Sequence, residues 1–401
     1  MNGVFIETIS DEIKQSVANN SDNTLVNTND DKLDSSITSH TNTIDEKNKI
    51  IRNNGIDLLK IILFFMVICL HFLNPDLGGG LRLAQNSSLC VLKLFESISI
   101  CAVDCFLIIS GYLMCRKNTF KVKRILYIII MFFSYHFICY ILDIIIFKSY
   151  FSLQSFIVIF IPKSFFINFY CLILLISPLL NKFFSIKIKF QIFYLCLFAL
   201  LFIILPTFTG FIFDCFNIDF IKGLSFLTYD GDSSGYNLII FILMYLIGGF
   251  IYHNKEYIKF RFVCLALFLV SAILMSILSY KSNKIWNYDN LFVVINAISL
   301  FIIFENIKLK KINFLKYISS CSLGVYILHV NKFVIFHIFD LFNIENYVGN
   351  DLLKSIGFVI ISTVIIGVCC AVVDISLRFI VRPIRKKLDN IQIINKNIVD
   401  I

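Results

Sequence analysis

A chain of 401 residues that is 58% hydrophobic and only 16% charged, with a mean hydropathy of +0.82, carries too little charge for a soluble domain, where about 25% is usual. Several apolar runs exceed the roughly 17 residues needed to cross a hydrocarbon layer about 30 Å thick, which makes the chain an all-α integral membrane protein. The net charge of +9 sits in short clusters between apolar runs and forms no continuous basic face, which excludes a nucleic-acid surface.

In chain order, residues 1–50 are rich in Asn, Asp, Ser and Thr, lack a sustained apolar face and show no signal-peptide pattern, as in a disordered cytoplasmic tail. The membrane domain follows over 51–385, with a cytoplasmic C-terminal tail over 386–401. Ten spans are expected, centred near residues 64, 104, 136, 173, 199, 244, 270, 298, 331 and 364. The apolar piece from Leu153 to Ile161 is too short to cross and fits an interfacial position. Thirteen cysteines occur mostly singly inside apolar runs (Cys69, Cys101, Cys139, Cys196, Cys264) without zinc-like CxxC pairs, and read as buried, reduced packing residues.

The loops RKNTFKVKR, KFFSIKIK, HNKEYIKFR and KLKKINFLK, with the tail segment RFIVRPIRKK, hold most of the Lys and Arg between spans. By the positive-inside rule this puts both termini in the cytoplasm. The opposite-side loop from about Gly210 to Gly235 carries Asp214, Asp219, Asp230 and Asp232 against Lys222, as an external, sugar-facing surface would; a solvated loop without a ligand reads the same way.

Ionisable groups inside spans cost about 2.5–3.5 kcal/mol at a helix centre and need a reason to be there. The first span contains Asp57, Lys60 and His71. Eleven residues make three helical turns, about 16 Å, so Lys60 and His71 share a face. Alternatively, Asp57 and Lys60 pair at i and i+3 while His71 sits among the outer headgroups. The second span holds Asp104, then Ser110 and Gly111, followed by Arg116, Lys117, Lys121, Lys123 and Arg124. That basic cluster fits either a polyphosphate ligand or a topology signal.

Together these motifs resemble the acyltransferase-3 family of integral membrane acyltransferases, in particular its bacterial polysaccharide O-acetyltransferase branch. The resemblance rests on Lys60 and His71 separated by ten residues, on AVDCFLIISGYL, on Lys121 and Arg124 as a basic-x-x-Arg pair, on SPLLNK at 177–182, on GYNLIIFILMYLIGGFI at 235–251 and on SLGVYILH at 322–329. Where the family often has Arg, this chain has Lys60, which stays cationic but lacks the bidentate fork.

The resemblance implies transfer of an acyl group, usually acetyl, from cytoplasmic acyl-CoA (acetyl-CoA) to a hydroxyl of a surface or lipid-linked carbohydrate, with no permanently bound cofactor and no metal. His71 is the candidate base, with Asp104 or Glu96 as orienting partner, and His329 with Tyr326 is a second candidate acid or acceptor ligand. Lys60, Lys121 and Arg124 would hold the donor's phosphates, and Ser110 and Gly111 its pantetheine arm. His136 and His337 carry no motif and read as structural. Residue usage heavy in Ile, Phe, Asn and Lys points to a bacterial plasma membrane. A glycolipid transporter or flippase is the alternative; it would show hydropathy repeats and paired interrupted helices. A polysaccharide polymerase would need a large external loop with Arg or carboxylates.

Overall fold

A computed structural model describes residues 52–117, 122–160, 164–212, 215–217, 235–256, 258, 260–310 and 312–390. The N-terminal tail, Lys121 and most of the acidic loop therefore lie outside the described residues. Among those described there is no strand, and eight helical segments are long and apolar enough to cross a membrane.

The helices run α1 Asn54–Leu73, α2 Asn86–Ser99, α3 Ala102–Met114, α4 Val122–Ile146, α5 Leu153–Ile159, α6 Phe165–Asn181 and α7 Ile188–Ala199. They continue with α8 Leu238–His253, α9 Arg261–Leu278, α10 Leu291–Glu305, α11 Asn313–Ser319, α12 Ser322–His329, α13 Ile335–Phe342 and α14 Leu352–Asn390. With no lipid hydrogen bonds to offer its backbone, the chain closes its polar groups within helices. Of the expected spans, α8, at 16 residues, falls short of the length of the eight membrane-crossing segments. The segment expected as a span near residue 331 is interrupted, because α12 ends at His329 and α13 begins at Ile335.

α1 is the hub of the described helices from Asn53 onward; it packs against α2, α3, α10, α11, α12 and α14. Of its membrane-crossing window 67% is buried, against 11% for the segment built on α7, which turns its apolar side chains outward to lipid. All thirteen cysteines are free thiols, and Cys101, Cys139 and Cys264 are buried as expected. Cys196 is instead exposed on α7, where a lipid-facing surface accepts an apolar thiol as readily as a core does.

Short sequence signals fix the ends of these helices. Asn53 caps α1 by accepting from the Gly55 amide at 2.8 Å, while its own amide donates to the Glu305 carbonyl at 2.8 Å. Asn237 caps α8 by accepting from the Ile240 amide at 2.9 Å. The Asn of the SPLLNK segment closes the far end of α3: Asn181 donates to the carbonyls of Met114 at 2.8 Å and Lys117 at 2.7 Å, and its oxygen accepts from Tyr245 at 2.8 Å. The Met114 carbonyl also accepts from the Lys117 amide at 2.9 Å, so Asn181 reinforces the turn that ends α3.

Candidate active site

Two cavities share part of their lining. The first has a volume of about 440 Å³ and carries Lys60, Lys117 and Arg124 with Tyr127, Tyr170 and the Ser319–Ser320 corner in its lining; Ser110, Tyr326 and His329 line it as well. The second has about 340 Å³ and is lined by His71, His136, Ser164, Tyr236, Tyr326 and Lys332 among aromatic rings. Phe166 and Tyr326 border both. Their rings lie 5.0 Å apart, and the Tyr326 hydroxyl is 3.4 Å from Ser164 Oγ.

His71 and His329, one in each lining, touch across this septum: His71 Nδ1 lies 2.9 Å from His329 Nε2. The other His329 nitrogen, Nδ1, lies 2.7 Å from the Val325 carbonyl oxygen. A carbonyl can only accept, so His329 Nδ1 carries its hydrogen, and in the neutral ring Nε2 is then the acceptor. His71 Nδ1 must therefore donate. That leaves His71 Nε2 with its lone pair, the form a proton acceptor needs.

The rest of α12 is held so that His329 keeps this position. Gly324 packs against the Asp374 carboxylate so closely that a Cβ there would overlap it. Asp374, fully buried, accepts from Tyr135 at 2.7 Å and pairs with Arg378 Nε at 2.7 Å. Arg378 also donates to the Ser320 carbonyl at 2.6 Å and to Ser320 Oγ at 3.0 Å. On the opposite side of the same corner, Ser319 donates to Asp57 at 3.0 Å, and Ser322 lies 3.4 Å from the Lys60 carbonyl. The α11–α12 corner is thereby tied to α1 and α14 at once, through a buried carboxylate, Asp374, and the half-buried guanidinium of Arg378.

Of the residues singled out from sequence, Lys60, Ser110, Arg124 and His329 line the first cavity and His71 the second. Lys60 Nζ is 4.0 Å from Asp57, as in the i, i+3 pairing; His71 is bound to His329 rather than left among headgroups. Arg124 donates to Tyr170 at 3.3 Å and to Met114 Sδ at 3.1 Å. Ser110 Oγ donates to the Phe106 carbonyl at 2.9 Å.

Two expectations are corrected. Gly111 does not line a ligand path: it faces the Tyr245 carbonyl, and Gly248 faces the Ile108 carbonyl, so the pair lets α3 and α8 cross with their backbones in contact. His71 is hydrogen-bonded to His329 rather than to Asp104. Asp104 is buried in the first turn of α3, lines neither cavity, and its carboxylate has no hydrogen-bond partner among the described residues. His136, read as structural, lies in the second lining, whereas His337 pairs with Asp143 at 3.0 Å. Tyr170 and Lys332 were not singled out as ligand groups, because each has only a lone polar side chain as its signal, whereas Lys117 belongs to the basic cluster that fits either a polyphosphate ligand or a topology signal.

The acyltransferase-3 family profile, described as an acyltransferase domain, matches residues 53–374. No curated protein and no solved structure gives a match.

Proposed function

Since the chain belongs to the acyltransferase-3 family and is a multi-pass membrane acyltransferase, we propose that it moves an acyl group, acetyl first among them, from cytoplasmic acyl-CoA to a hydroxyl of a cell-surface or lipid-linked carbohydrate. The observation that carries this reading is the His71–His329 pair at the septum between two cavities.

The first cavity takes the donor. Lys60, Lys117 and Arg124 supply positive charge for the CoA phosphates, and Arg124 adds a guanidinium fork for a phosphate oxygen. In this reading the mouth opens to the cytoplasm, the side to which the positive-inside rule assigns the basic loops, and the membrane is a bacterial plasma membrane. Ser110 and the apolar wall beyond it accompany the pantetheine arm toward Tyr326 and His329. The acceptor enters the second cavity from the other side.

A hydroxyl is a poor nucleophile at neutral pH. His71 Nε2 takes its proton as the oxygen attacks the thioester carbonyl, and the charge that develops is shared along the Nδ1–H bond to His329. The tetrahedral intermediate collapses with cleavage of the C–S bond. The departing thiolate regains the proton from the imidazole pair, so CoA leaves as the thiol and the ester stays on the sugar. Such positioned proton transfer contributes about 10²–10⁴ in rate.

The experiment is mass analysis of surface glycans from cells with the wild-type protein, without it, and with His71→Ala. The variant should insert normally, since the change makes an apolar span more apolar, yet leave the glycans as in cells lacking the protein. Wild-type acylation in that variant would remove His71 from the reaction.

A further inference from the structure

We infer that Tyr326 is a further catalytic residue: its phenol donates a hydrogen bond to the oxyanion formed when the acceptor hydroxyl attacks the thioester carbonyl, and Ser164 positions it. This rests on the acyl-transfer reading above and assigns a group of the same site that neither imidazole can supply. His71 Nε2 is committed to the substrate proton and His329 Nε2 to the His71 hydrogen, while His329 Nδ1 serves the Val325 carbonyl. The charge on the carbonyl oxygen needs another donor.

The reacting carbonyl has to lie at the lining that the two cavities share. Among the described residues Phe166 and Tyr326 border both, and of the two Tyr326 alone carries a hydrogen-bond donor. It stands on α12 one turn before His329, with the two rings 6.0 Å apart and nearly perpendicular, at 78°. Residues three apart on a helix are neighbours on its surface, so the turn that sets the acceptor of the His71 hydrogen at the septum sets a hydroxyl beside it. The Phe166 ring, 5.0 Å from that of Tyr326, limits where the phenol can swing.

Ser164 gives the phenol its direction. Its Oγ caps α6 by accepting from the Ile167 amide at 3.4 Å, and it lies 3.4 Å from the Tyr326 hydroxyl. A serine hydroxyl that accepts from an amide still has its own hydrogen to give. Donated to the phenol oxygen, that hydrogen leaves the phenol O–H to turn toward the carbonyl, and hydrogen bonds in series strengthen one another. Ser164 also stands at the N-terminus of a 17-residue helix, whose positive end favours negative charge nearby.

As the acceptor oxygen bonds the carbonyl carbon, the C=O π pair moves onto oxygen, where the Tyr326 O–H meets it and keeps its own proton. On collapse that pair re-forms the C=O bond, the C–S bond breaks, and the thiolate takes its proton from the imidazole pair. A donor that bonds the oxyanion more strongly than the ground-state carbonyl acts on kcat.

Tyr326→Phe removes the hydroxyl and keeps the ring. The assay uses the full-length protein in proteoliposomes with acetyl-CoA and, as acceptor, surface glycan purified from cells lacking the protein. The variant is expected to lose about 10²–10³ in kcat with acetyl-CoA half-saturation and acceptor KM unchanged. Thermal stabilisation of the detergent-solubilised protein by two CoA analogues gives a readout free of turnover. A ketone with a methylene in place of the thioester sulfur mimics the ground state. A methylphosphonate thioester, whose tetrahedral phosphorus bears an anionic oxygen, mimics the intermediate. Tyr326→Phe should weaken the phosphonate about tenfold or more and leave the ketone as in wild type.

A wild-type kcat in Tyr326→Phe, an unchanged phosphonate affinity, an equal loss for both analogues, or a wild type stabilised by the ketone alone would overturn the inference. Should Tyr326→Phe fail to fold, Ser164 decides. Ser164→Ala should lower kcat, and Ser164→Thr, which keeps both the hydroxyl and the helix cap, should restore it; an Ala variant with wild-type kcat, or a Thr variant no better than Ala, overturns the assignment. Unchanged glycans in cells lacking the protein sink the acyl-transfer reading itself, whereas a fully active Tyr326→Phe beside an active wild type sinks only this inference.

Discussion

Replacing His329 tests whether the imidazole pair sets the tautomer of His71. In His329→Leu the His71 Nδ1–H, which now donates across 2.9 Å, loses its acceptor at a buried septum. Leaving a buried donor unsatisfied costs about 1–3 kcal/mol, and His71 relieves that cost by moving its hydrogen to Nε2, where it abolishes the lone pair needed to accept the substrate proton. At about 1.36 kcal/mol per tenfold, the active tautomer falls by a factor of about 5–150, and the rate with it. His329→Gln differs, because its side-chain oxygen can accept the same hydrogen and should recover a good part of the activity. The assay is acyl transfer in proteoliposomes across a range of acyl-CoA concentrations, with kcat and donor half-saturation resolved. The expected pattern is a large fall in kcat for Leu, a smaller one for Gln, and a donor half-saturation unchanged in both. A Leu variant with wild-type kcat, or a Gln variant as inactive as Leu at equal folded yield, would refute the tautomer argument.

Much of the architecture is legible in the sequence because a bilayer imposes a coarse rule, that apolar length must match membrane thickness. The helical class follows from that rule alone. Lys60 and His71 share a helix, so helical periodicity places them on one face and their spacing sends one to each cavity. The His71–His329 contact could not be read this way. The rings are 258 positions apart, and what joins them is the packing of α12 between α1 and α14, fixed by Gly324, Asp374 and Arg378. Gly111 was misread for a related reason: a small residue permits close approach of either a ligand or a helix, and only the position of α8 decides between them. The break after His329 was hidden because VNKFV has no Pro or Gly to announce it. Its stop signal is Asn331, whose capping role exists only once the link is folded.

Two further substitutions separate framework from chemistry. Gly111→Leu forces a side chain against the Tyr245 carbonyl and should lower stability by about 1–3 kcal/mol or more, read as a fall in the thermal unfolding midpoint in detergent, whereas Ser110→Ala, which loses one bond to the Phe106 carbonyl, should move it little. A Gly111→Leu protein of unchanged stability would mean that α3 and α8 do not cross as closely as this. Arg124→Gln decides between the two meanings of the basic cluster, since as an orientation signal it is one cation among Arg116, Lys117 and Lys123 and its loss should be silent. As a phosphate ligand at the mouth of the first cavity it should lose a charge-assisted hydrogen bond worth about 1.5–3 kcal/mol, raising the acyl-CoA half-saturation about ten- to hundredfold with kcat preserved. Because Arg124 also bonds Tyr170, Tyr170→Phe serves as the companion: it loosens the guanidinium without removing its charge and should shift half-saturation by less. An unaltered half-saturation in Arg124→Gln, with membrane orientation confirmed, would return the cluster to topology alone and move the phosphate site toward Lys60 and Lys117.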